Sequence, residues 1–89
     1  MVYLVTYDMH GGYDYSGIED VIKVISAGRY HHAQGSVWLL KSSQSAASIY
    51  TALRTALYSD DELLVVEITS NWKTNSWDKT TGDIIRSWF

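Results

Sequence analysis

Apolar positions along this chain follow two periods, close to two residues in some stretches and close to 3.6 in others. Val2 to Tyr7 is an apolar, β-branched and aromatic run that predicts a central strand. It ends on Asp8, and residues 9–15 read as a loop. Ser16-Gly17-Ile18-Glu19 has the form of a capping box, and Ile18, Val21, Ile22 and Ile25 then form one apolar stripe of a helix. Gly28 is placed to end that helix in a left-handed cap. Arg29 to Ala33 and Ser36 to Lys41 predict two strands joined by a hairpin turn at Gln34-Gly35. Ser42 to Ser45 supplies candidate caps for a second helix whose inward stripe is Ala46, Ile49, Tyr50, Leu53, Ala56 and Leu57. Ser59-Asp60-Asp61 breaks it, and Glu62 to Thr69 predicts a fourth strand. Residues 70–80 are polar apart from Trp72 and Trp77. Thr81 is the candidate cap of a short terminal helix carrying Ile84, Ile85, Trp88 and Phe89 on its apolar side.

The order strand, helix, strand, strand, helix, strand predicts an α+β, ferredoxin-like βαββαβ domain over residues 1–89, with a core at 1–70 and a tryptophan-rich tail at 71–89. Two helices would cover one face of a four-stranded antiparallel sheet. Right-handed crossovers then place the first and third strands at its centre. The other face is left with apolar residues and no helix of the core to bury them. Either a second copy or the terminal segment has to cover it.

Composition narrows the chemistry. With 89 residues and no cysteine, the chain has no disulfide framework and no thiolate metal site. No long apolar stretch is present, and Met1 leads straight into a strand, so the expectation is a cytoplasmic protein with no membrane association. The net charge of −3, with scattered Lys and Arg, argues against a binder of long duplexes, which concentrates positive charge on one face. The four Trp and seven Tyr favour interfaces and stacking, since both residues join a large apolar area to a polar tip.

The segments VYLVTYDM, QGSVWLL and DELLVVEIT resemble the first, third and fourth strands of the small CRISPR-associated Cas-two superfamily, and more closely its SinR-like relatives; VapD-type toxins are a more distant likeness. The resemblance spans roughly residues 1–70 and implies the ferredoxin-like fold and a homo-oligomer, at least a dimer about a two-fold axis. It also implies that Asp8, after the first strand, lies near its symmetry mate and takes part in binding Mg²⁺ or Mn²⁺, as metal ligand and catalytic residue. The chain departs from the family in its first helix, which offers Lys23 and, past its end, Arg29, where the family has several basic residues. The loop after Asp8 is rich in tyrosine rather than basic.

One carboxylate per chain is thin for metal-assisted hydrolysis, which normally uses two or three oxygen ligands. Turn-making is the plainer role for Asp8. His31 and His32 are neighbours in a strand, so they point to opposite faces and do not share a metal. His10-Gly11-Gly12-Tyr13 lacks the lysine and glycine spacing of a phosphate loop. Aromatic stacking suits an acidic protein better than phosphate clamping, at about 1–3 kcal/mol per base. The expected ligand-binding residues are His10, Tyr13, Tyr15, Arg29, Tyr30, His32, Trp72 and Trp77, forming a composite pocket of the 9–16 loop, the second strand and the tail. The reading favoured by charge and composition is a small binding protein for a nucleotide, an oligonucleotide or a protein partner, without catalysis, of the kind found among defence and anti-defence factors. The alternative is a metal-dependent endonuclease acting on RNA or DNA through paired Asp8.

Overall fold

A computed structural model describes residues 1–10 and 16–89. It contains β1 (Val2–Asp8), α1 (Ser16–Ile25), β2 (Tyr30–Gln34), β3 (Val37–Lys41), α2 (Ala46–Arg54), β4 (Glu62–Ile68) and α3 (Lys79–Arg86). The four strands form one antiparallel sheet in the order β2-β3-β1-β4, with the first and third strands central as the crossovers require. The fold is the expected ferredoxin-like α+β arrangement, with a third helix added.

Period-two alternation assigns the two faces of the sheet. Tyr3, Val5 and Tyr7 of β1 and Trp38 and Leu40 of β3 point toward α1 and α2 and join Ile18, Ile22, Ile49 and Leu53 in the main core. Val2 of β1 and Leu39 of β3 point the other way. There they meet Ile85 and Trp88 of the terminal segment in a second buried cluster, flanked by Leu4, Ile68, Trp72 and Trp77. The chain therefore covers the second face with its own tail, which the sequence had left open between tail and partner.

Asp8 ends β1, as expected. Several other local expectations shift. The turn between β2 and β3 falls on Gly35-Ser36, because a bulge between His32 and Gln34 moves the register by one residue. Ser16, expected as the cap, is the first helical residue of α1. Gly28 has the expected left-handed backbone, φ +84, and Ala27 shares that region at φ 50. Asp78, not Thr81, caps α3: its carboxylate accepts from the Thr81 N–H at 2.7 Å, which places Thr81 inside the first turn. The inward stripe of the second helix holds at Ile49 and Leu53, which are buried, and at Ala46, Ala56 and Leu57, which pack against the same core, the last two beyond the end of α2; Tyr50 departs from it and is 44% exposed. On α3 the buried stripe is Gly82, Ile85 and Trp88, spaced by three, which leaves Ile84 and Phe89 exposed.

Candidate functional site: an acidic strand tip and a tryptophan-walled groove

The predicted site residues separate into three places. The first is the tip of β1 and β4. Asp8 lies directly opposite Glu62 in the strand register, so two carboxylates face one another at an exposed end. Like charges in that relation repel. His10 stands beside both: its Nε2 is 3.8 Å from Asp8 Oδ2 and 3.9 Å from Glu62 Oε1. Beneath this pair, buried Asp61 clasps two chain segments, accepting from the His10 N–H at 2.9 Å and the Tyr58 N–H at 2.8 Å. Those hydrogen bonds hold its carboxyl below the usual carboxylate range, with partial desolvation opposing them and the charges of His10 and Arg54 assisting. Among the described residues no group of three His, Cys, Asp or Glu is arranged to hold a metal ion.

The second place is the helix-side face of β2. His32 stacks flat on Trp38, ring centroids 4.0 Å apart and planes 3° off parallel, with its Nε2 at 2.6 Å from the Gly35 carbonyl. Tyr30 leans on the same indole at 5.9 Å. Arg29 stands in the turn before β2, where its carbonyl accepts from the Lys41 N–H. Tyr13 and Tyr15 lie outside the described residues.

The third place is the opposite face, where the tail crosses the sheet. Trp72 and Trp77 pack edge-on at 5.2 Å, Trp77 meets His31 edge-on at 5.2 Å, and the Arg86 guanidinium sits 5.1 Å above the Trp72 ring. Between them and the strands runs a groove of about 450 Å³. Its floor is Leu4, Thr6, Val37 and Leu39, its wall Trp72 and Trp77, and its polar lining includes Gln34, Asn71 and Lys73. The indole N–H groups of Trp72 and Trp77 are buried without a hydrogen-bond acceptor among the described residues. Such donors are uncommon in folded proteins.

Sequence and fold match no protein-family model, no curated protein and no solved structure.

The expected composite pocket thus divides. The structure brings Trp72 and Trp77 together, but it sets them beside His31 and places Tyr30 and His32 on the far side of the sheet. The odd-even alternation in β2 that separates the two histidines is the cause, and it makes His31 the histidine of the groove. The floor residues carry no chemical signature of their own; only their parity along the strands places them there.

Acid pH is expected to act on two of these places. Burial first, and the neighbouring His32 second, push the His31 pKa down, while Asp78 opposes them. The unfolded chain therefore takes up that proton first, and stability falls as pH drops through the ordinary histidine range near 6.5. The lowered Asp61 and Asp78 carboxyls add stability above their unfolded pKa of 3.8, lost as pH falls through the folded values. Thermal melts from pH 8 to 3 should show both legs, and His31→Phe should lose the upper one alone.

Proposed function

We propose that this chain is a small, non-catalytic binding protein whose ligand is a nucleotide or a short single-stranded nucleic acid, seated in the groove beneath Trp72 and Trp77. The observation that carries this reading is the groove itself. Its volume, about 450 Å³, lies in the range of small-ligand sites, and an apolar floor under an aromatic wall with a few amides and one ammonium is the usual make-up of such sites. Indole faces stack on any base, the amides of Gln34 and Asn71 can meet base edges, and Lys73 offers a single charge to a phosphate. Stacking asks for no strong positive field, which suits a chain of net charge −3.

Two experiments test this. Purified protein is heat-denatured and the supernatant examined by mass spectrometry for co-purified nucleotide, and thermal shifts are recorded across linear and cyclic nucleotides and short oligonucleotides. A ligand that raises the melting temperature should bind Trp77→Ala about 5- to 150-fold more weakly, since one stacking contact contributes about 1–3 kcal/mol. Absence of any carried or stabilising nucleotide refutes the reading.

Metal-dependent cleavage through Asp8 has one observation in its favour: Asp8 and Glu62 present two carboxylates at one exposed tip. Cleavage of single-stranded RNA or DNA under Mn²⁺, lost in Asp8→Ala, would displace the binding reading with this one.

A further inference from the structure

The two edges of the sheet are protected very differently. β2, at one edge, is five residues long and interrupted by the bulge between His32 and Gln34, a device that discourages further pairing. β4, at the other edge, is seven residues long with no recorded bulge in its pairing to β1, and its sequence ELLVVEI holds neither lysine nor proline. Among the described residues no strand pairs with its outer edge. Leu64 and Val66, on the face away from α1 and α2, are 54% and 40% exposed. A long, unguarded, apolar edge is a template for another strand.

We infer that this edge binds a second copy of the chain, β4 against β4 in antiparallel fashion about a two-fold axis through Val65. The sequence of the strand selects this occupant and this register. Centred on Val65, the two strands overlap along their full length, and Leu64 of each faces Val66 of the other. Glu62 then faces Ile68, and Glu67 faces Leu63, so no two acidic residues oppose one another. A slip of two residues toward the N-terminus would set Glu67 against Asp61, a like-charge pair that disfavours it. A two-fold axis normal to the sheet keeps its faces continuous, so the four exposed side chains Leu64 and Val66 of both copies close over one another. Asp8 sits beside Glu62, three residues from the axis, so the two Asp8 side chains would lie at least roughly 20 Å apart and share no cation.

The inference is independent of the groove, and its test reads distance rather than ligand. Because the chain has no cysteine, single introduced thiols report register. Leu64→Cys and Val66→Cys are prepared separately, then oxidised alone and as a mixture. Opposed positions lie about 4.5–5.5 Å apart and diagonal ones about 7–8 Å. The mixture should form a disulfide dimer while each variant alone stays largely uncrosslinked. Sedimentation of the wild type should show a dimer, and the double variant Leu64→Lys/Val66→Lys should raise its dissociation constant at least about 100-fold with an unchanged circular dichroism spectrum. A wild-type monomer at roughly 100 μM, where a micromolar dimer is mostly paired, overturns the inference. So does equal crosslinking of single and mixed thiols, or a lysine variant that dimerises as before.

Discussion

Ile85→Asp is expected to release the terminal helix from the sheet and to lower the melting temperature by roughly 10–25 °C. Ile85 is 1% exposed and packs with Val2, Leu39 and Trp88 in the cluster on the second sheet face. Truncating a side chain of this kind costs about 2–5 kcal/mol, and a carboxylate adds the penalty of an unpaired buried charge. The released face would expose Leu39, Val2 and Ile68 together, a contiguous apolar patch that should bind a hydrophobic dye. The adjacent residue provides the control. Ile84 is 53% exposed, so Ile84→Asp should shift stability by no more than about 0.5 kcal/mol. Equal effects of the two substitutions, measured by thermal melts, would mean that α3 does not dock through the stripe of Gly82, Ile85 and Trp88.

Trp38→Ala should cost about 3–5 kcal/mol, a large part of the stability available to a domain of this size. The indole is buried at the centre of β3, on its helix-side face, where His32 stacks on it and Tyr30 leans against it. Its Nε1 donates to the Tyr7 hydroxyl at 3.2 Å. Tyr7→Phe removes that acceptor while leaving the ring, and should cost about 1–3 kcal/mol, the penalty of a buried donor left alone. The cavity effect thus exceeds the hydrogen-bond effect, and urea melts of the two variants should rank in that order. Removal of His32 by His32→Ala, on the exposed edge, should cost less than either.

The architecture was legible because the strands and helices keep their periods, and because a capped helix such as α2 announces its start at Ser45, whose hydroxyl accepts from the Ser48 N–H. The assignment of faces was harder. Val2-Tyr3-Leu4-Val5 is apolar without interruption, and an alternation rule finds no polar side to point outward. The structure supplies the reason: both faces of β1 are covered, one by the helices and one by the tail, so neither needs to be polar. The cap of α3 was misplaced because Asp78 and Thr81 are both good cap residues three positions apart, and only the hydrogen bond from Thr81 to Asp78 decides between them. The proximity of Asp8 to Glu62 depends on the pairing register of strands more than fifty residues apart, which local pattern does not encode. The groove was half legible. Two tryptophans in a polar segment marked the wall, while its floor emerged only with the parity of β1 and β3.

The central claim is that each chain closes its second sheet face with its own C-terminal helix. The most direct measurement is isotope-filtered nuclear Overhauser spectroscopy on an equal mixture of labelled and unlabelled protein. Contacts from the Trp88 ring and Ile85 methyls to Leu39 and Val2 should appear wholly within labelled chains, and their appearance between labelled and unlabelled chains, or their absence, would contradict the account.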